Sequence, residues 1–422
     1  MPDNNSQVIQ KMDNYFLDIK KINIMPIIVL LIFYIPSSNV VGGFQFWYLI
    51  AIGIVLFALS FCNKSSSFFV RAVFSFFLIN IILLTISLLV SGINFGTLKD
   101  FNEFIRLIGS FSVFLFFYYG YSKSDNKFLI SFFKIFLVIQ LLVCFLQSND
   151  TFNNLIGVIW NTEKVWIMRR TGTFGNPNIL SIFSIAAYSF IFFNSGLRSK
   201  VIFGLILFFV VLFTSSKTGM ISLLIILNLN YLLLGNMISI KSIFWFLVFL
   251  GIVGFISFKL LYLYQNEYPY LAQIVSMFEN DMNVNEIKSI GDRQLMWDSA
   301  LDKYKSLNFI QKTFGIGPGK DTEQNVIDNE FLTILLKLGV VGCIYYFLYF
   351  SFIMVFLYRN IRYISSKILF SVMVLFLLSS GSASTFMAWH LSLLLFMLLG
   401  INFNEINVVN RITNLNYKII DK

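Results

Sequence analysis

Long apolar runs separated by short polar gaps fill this chain almost from end to end. A helix needs roughly 17 to 25 mostly apolar residues to cross a bilayer. About twelve candidate spans can be read, near residues 22–36, 43–62, 68–90, 104–121, 128–147, 178–194, 200–214, 218–234, 242–263, 331–357, 366–380 and 384–401. Their limits are soft at the first run, which Pro36 can end early, and around Thr214 to Gly219. One long polar interval, Leu261 to Asn329, breaks the pattern and carries ten of the 21 Asp and Glu residues. A smaller one runs from Ser148 to Pro177. Inside the large interval Trp297, Ala300, Leu301 and Tyr304 recur at helical spacing, with Asp298, Asp302, Lys303 and Lys305 on the other face. That spacing predicts an amphipathic helix lying on the membrane or on the bundle, opened by Arg293. Tyr270 to Phe278 is a candidate short helix, and Gly315, Gly317 and Gly319 predict a turn with extended chain.

Composition turns this pattern into a class. With 57% hydrophobic and 12% charged residues and a mean hydropathy of +0.78, the chain has more apolar surface than a globule of its size can hide. The expectation is an all-α polytopic integral membrane protein of about 12 transmembrane helices with a large extracytoplasmic loop. Residues 1–263 form nine spans with the smaller outer loop at 148–177, residues 264–329 the large loop, and residues 330–422 three more spans and a tail. The net charge of +10 does not point to nucleic acid, because the basic residues lie scattered in short gaps and follow the rule that cytoplasmic loops are positive. That rule puts both termini in the cytoplasm and the acidic large loop outside. Cys62, Cys144 and Cys343 all fall in or beside apolar runs, so neither a disulfide nor a metal cluster is expected. The polar start up to Lys21 argues against a cleaved signal peptide.

Most motif-like residues have plain explanations. The run before Lys320 is not a phosphate loop, because Phe314 and Asp321 stand where glycine and Ser or Thr belong. Glu279 and Asp281 are solvated loop acids without a third ligand nearby, and His390, the single histidine, is a packing residue in a span. The arginines say more. Arg169 and Arg170 precede Asn176-Pro177, where Asn can cap and Pro can open the next helix, and arginine beside a helix N-terminus makes an anion site. Lys217 falls on the same side between two spans, as does Arg293. Four cations on one face can bracket a diphosphate, although each alone also serves as an interfacial anchor.

In order, Arg169-x-x-Gly-x-Phe-Gly-Asn-Pro-Asn178, Ser215-Ser-Lys-Thr-Gly219, Arg293-x-x-x-Trp297, Gly315-Ile-Gly-Pro-Gly319 and Asp328-Asn-Glu-Phe-Leu332 resemble the O-antigen polymerase and O-antigen ligase superfamily. The resemblance covers residues 165 to 345 in motifs and the whole chain in topology. It implies a GT-C-like glycosyltransferase of the bacterial inner membrane, acting in lipopolysaccharide or capsule biosynthesis on undecaprenyl-diphosphate-linked oligosaccharides at the periplasmic face. Membrane lipids and a chain-length regulator are the further partners it implies, and no nucleotide, redox cofactor or metal. Lys217 replaces a frequent arginine, and ligases of the superfamily show His-Asn where this chain has Asp328-Asn329; the missing histidine favours a polymerase over a ligase. A flippase for the same lipid-linked units is the reading from another class, with Arg71, Arg106, Lys134 and Lys337 as its charges within the spans. On the polymerase reading Arg170 and Arg293 hold the diphosphate, with Arg169 and Lys217 behind them. Asp328 is the first candidate for general base and Glu330 the second.

Overall fold

The computed structural model of the protein describes residues 68–92, 99–122, 125–159, 169–234, 259, 288–317, 329–381, 383, 385–386 and 388–420. Among these, every regular element is an α-helix. They are α1 (Phe68–Ser91), α2 (Lys99–Gly120), α3 (Asp125–Leu146), α4 (Asp150–Ile159), α5 (Pro177–Asn194), α6 (Leu197–Thr214), α7 (Lys217–Leu232), α8 (Lys288–Ser306), α9 (Phe309–Phe314), α10 (Glu330–Arg359), α11 (Ile364–Ser379) and α12 (Trp389–Ile420). Seven of them, α1, α2, α3, α5, α6, α10 and α12, are long and apolar enough to cross a membrane, and α7 and α11 are shorter apolar helices. These correspond to nine of the expected spans. The runs near 22–36, 43–62 and 242–263, like the expected helix at Tyr270 to Phe278, lie outside the described residues, apart from Lys259.

Two boundaries differ from the sequence reading. The last helix starts at Trp389, not 384, and runs on well past 401. The smaller polar interval holds a helix of its own, α4.

Burial sorts the helices into a centre and a rim. In α5 nearly every residue from Leu180 to Phe192 is buried, as expected of a helix apolar all round at the core of a bundle. It packs against α3, α6, α7 and α11. By contrast α6 and α10 leave large apolar side chains such as Leu197, Phe209, Phe347 and Phe352 exposed. Bare apolar surface on this scale suits hydrocarbon and not water. The protein is therefore a polytopic membrane protein.

Side-chain bonds between helix ends show that the chain alternates direction. Ser91 Oγ at the end of α1 donates to Ile316 O, the start of α2 meets α10 through Glu103 and Lys337, and Glu330 N at the start of α10 donates to Ser380 O at the end of α11. Gln147 after α3 bonds Thr171, and Phe174 before α5 meets His390 at the start of α12. All these lie at one end of the bundle, here the site end. At the opposite end Asn126 bonds Asn194, Tyr188 bonds Lys200 O, and Asn402 bonds Ser365 and Ser366. Both polar intervals open at the site end.

This alternation makes a sidedness prediction. In an otherwise cysteine-free protein, cysteines at the exposed positions Ser148 and Gln294 are expected to react with a membrane-impermeant maleimide in intact spheroplasts. A cysteine at exposed Arg362, at the opposite end, is expected to stay unlabelled. Labelling of Arg362→Cys alone would invert the orientation.

The large interval is tied down by α10. Trp297, Tyr304 and Leu332 pack around Ala300 and Leu336, so the expected amphipathic face exists and lies on the bundle. Its helix begins at Lys288, which places Arg293 inside α8 and not at its start. Further on, Gly339 at φ +67° breaks the helical path of α10. The carbonyls of Leu336 and Lys337, released from the helical ladder, accept instead from Ile316 N (2.8 Å) and Gly317 N (3.1 Å). Gly315, at φ +82°, lies so close to Lys337 O that a Cβ there would collide with backbone. The described part of the glycine-rich run, Gly315 to Gly317, is thus non-helical chain bonded to a broken helix.

Candidate functional site

The segment leading into α5 is organised by local chemistry. Asn176 sits extended before the helix, and its side chain accepts from Asn178 N and Ile179 N, while Pro177 occupies the first turn. Two glutamines, Gln140 in α3 and Gln147 just after it, hold the preceding loop. Gln147 Oε1 accepts from Thr171 N and Gly172 N, and Gln140 Oε1 accepts from Thr173 N. Both glutamines are buried, Gln140 within an apolar helix and Gln147 just past its end, where a polar side chain costs free energy unless the loop satisfies it. They fix where the two arginines can go.

Arg169 turns toward the break between α6 and α7. Its Nη2 donates to Asn178 Oδ1 (2.7 Å) and its Nε to Thr214 O (3.2 Å). Ser216 Oγ donates to the same Asn178 oxygen (2.8 Å) and accepts from Gly219 N as the cap of α7. Ser181 and Thr214 share a hydroxyl bond of 2.6 Å beneath. Ser215, at φ 48°, makes the turn that lets α6 stop and α7 begin. Two of the five donors of Arg169 are anchored in this way, which sets the plane of its guanidinium.

Lys217, the first residue of α7, lies where the charges of Arg293 and Arg169 both act on it. Arg170 takes a different course. Its amide donates to Phe213 O, and its charge acts on Cys144 of α3. The three cations drawn together are therefore Arg169, Lys217 and Arg293. All four cations are half-buried. Like charges gathered at the N-termini of α5 and α7, whose dipoles add to the same sign, create a positive potential suited to an anion.

Close packing of α5 on α7 shapes this locus. A Cβ on Gly219 would sit 2.6 Å from Ser181 Cβ and 2.7 Å from its Oγ. Gly219→Ala is expected to push the helices apart and destabilise the protein by about 1–3 kcal/mol. Thermal unfolding in detergent should show the drop, and Ser181→Gly in the same chain should recover part of it. An unchanged melting temperature would deny the close approach.

The carboxylates fare differently. Asp328 lies outside the described residues. The cap of α10 is Asn329, whose side chain accepts from Leu332 N, so Asp328 is not needed as an N-cap. Glu330 is 0% exposed, with Oε2 accepting from Phe386 N (3.2 Å) and Oε1 buried without a hydrogen-bond partner among the described residues. Enclosed like this, it is poorly placed to reach a substrate hydroxyl. His390 is buried with its ring edge-on to Phe174, as expected of a packing residue.

Sequence reading missed Asn178, Ser216 and Thr214, the polar hub beneath the cations, and Gln140 and Gln147 behind them. The available signal was polar residues inside or at the ends of otherwise apolar runs, with the two glutamines seven apart.

No curated protein matches this chain. The model of the family described as O-antigen ligase matches residues 202–347. That stretch runs from α6 into α10 and contains Lys217, Arg293, Asp328 and Glu330, while Arg169 and Arg170 precede it. Over residues 202–347 the chain is thus similar to the O-antigen ligase family, which supports the resemblance of its motif order to the O-antigen polymerase and ligase superfamily.

Proposed function

We propose that this protein polymerises undecaprenyl-diphosphate-linked oligosaccharide repeat units into O-antigen or capsular polysaccharide at the periplasmic face of the bacterial inner membrane. The convergence of Arg169, Lys217 and Arg293 at one end of the bundle carries this reading. In the reaction the acceptor hydroxyl oxygen of one unit attacks the anomeric carbon of the growing glycan. The bond from that carbon to the diphosphate oxygen breaks, its electron pair leaves on the lipid-linked diphosphate, and the hydroxyl proton passes to a base. Charge grows on the diphosphate as the bond breaks, so fixed cations stabilise the transition state more than the ground state. Arg293 and Arg169 are assigned that task, with Lys217 between them and Arg170 flanking. Asp328 is the proposed base, because it directly precedes the capped start of α10, while the enclosure of Glu330 favours a supporting role.

The ligase reading draws on the description of the matching family. Against it stand Asp328 in place of the expected histidine and the burial of the single histidine, His390, inside the bundle. A flippase has less support, since Arg106 and Lys337 are engaged with Glu103. A gel of surface glycans from a deletion strain separates the three. A single repeat unit on the core is the expected result, and loss of all repeat units would mean ligase or flippase. A chain-length regulator is a proposed partner.

A further inference from the structure

Asn178, the second residue of α5, joins the two sides of the cation locus through one atom. Its Oδ1 accepts from Arg169 Nη2 (2.7 Å) and from Ser216 Oγ (2.8 Å). A guanidinium can only donate, so the oxygen of the amide, and not its nitrogen, faces Arg169. On the other side, Ser216 Oγ accepts from Gly219 N and so caps α7, whose first residue is Lys217. The shared atom is itself held in place. Asn178 N donates to Asn176 Oδ1 (2.9 Å), Pro177 fixes the first turn before it, and the residue is only 7% exposed. With Arg169 Nε also on Thr214 O, the arginine is gripped from α5 and from the end of α6 at once.

An amide oxygen is a particular choice of acceptor here. Aspartate has the same shape and would accept the same two bonds, the one from the guanidinium more strongly. It would also add a negative charge beside Arg169, where the charges of Arg169 and Arg293 act on Lys217. A purely structural acceptor could be either residue. An acceptor at a locus that must attract a diphosphate has to fix the planar fork of the arginine and bring no negative charge of its own. We propose that Asn178 is a positioning residue: its Oδ1 orients Arg169 and ties the capped start of α7, with Lys217, to the same point, while adding no negative charge to the locus. This role rests on the reading of that locus as a diphosphate site.

The test uses purified full-length protein, with farnesyl diphosphate as the probe and farnesol as the control for binding of the tail alone. Asn178→Ala is expected to bind farnesyl diphosphate roughly tenfold more weakly, because the charge-assisted bond that orients Arg169 is gone. Misplacement of the guanidinium is expected to slow polymerisation by roughly 10²-fold. In an Arg169→Met background the same substitution is expected to cost far less affinity, since its effect runs mainly through the arginine. Asn178→Asp keeps both bonds and is expected to melt at or above the wild-type temperature, yet to bind the probe no better than Asn178→Ala. Wild-type affinity in Asn178→Asp would reduce the residue to a structural acceptor and overturns the proposal. So does a loss from Asn178→Ala that persists in full beside Arg169→Met. Where Asn178→Ala fails to accumulate in membranes, Asn178→Asp carries the test alone, and failure of both makes Asn178 a folding residue and overturns it too. Wild-type protein that binds the diphosphate no better than farnesol overturns the anion locus and this role together, whereas binding without any polymer sinks only the polymerase reading.

Discussion

Arg293→Ala is expected to abolish polymer while the protein remains in the membrane at its normal level. Arg293 lies on α8, whose apolar face is seated on α10 by Trp297, Ala300 and Tyr304, so truncating the arginine removes a charge and leaves the seating intact. Losing one fixed donor to a developing anion typically slows a reaction by about 10²–10³-fold. A polymer of many units needs many such steps, so the ladder of chain lengths should collapse to its lowest band. Arg293→Lys should recover only part, because a point charge replaces a planar fork that can hold two diphosphate oxygens. The companion comparison is Arg169 against Arg170. Arg169 reaches Asn178 and Thr214 through two nitrogens, so Arg169→Lys should be the more damaging of the two lysine substitutions. A normal ladder from Arg293→Ala would remove that residue from the diphosphate proposal, and greater damage from Arg170→Lys would restore the order read from sequence.

Asp328→Asn is expected to give well-expressed protein and single repeat units only. Loss of a general base costs about 10²–10⁴-fold in rate. A carboxylate before a helix can also be a simple cap, and Asn would replace it there at almost no cost. Here that alternative is weakened, because Asn329 already caps α10 through its bond from Leu332 N. The cap has its own signature: Asn329→Ala should lower stability by about 1 kcal/mol and Asn329→Asp hardly at all. An ordinary ladder from Asp328→Asn would remove the base assignment and send the proton to Glu330 or to the substrate itself.

What the sequence determined by itself was whatever depends on neighbours along the chain. Apolar run length announced α1, α2, α3, α5, α6, α7, α10, α11 and α12, because a bilayer demands a fixed length of apolar helix. The Asn176-Pro177 start of α5 was legible because a cap and its helix are adjacent residues. The face of α8 was legible because helical periodicity repeats every few positions, although what it rests on was not.

Tertiary structure decided every partner. Ser365 falls in a polar gap, yet it is buried and bonds Asn402. Sequence ranked Arg170 ahead of Arg169 without sight of the α6–α7 break, which draws Arg169 to Asn178 and Thr214, while the amide of Arg170 bonds Phe213 O. Glu103 and Lys337, or Arg106 and Phe386, are hundreds of residues apart and share no local pattern, so Arg106 and Lys337 could be read only as charges within the spans. A buried charge must find its counter-charge wherever packing brings one, and packing of apolar helices is set by the shapes of many side chains at once, which no short stretch of sequence encodes.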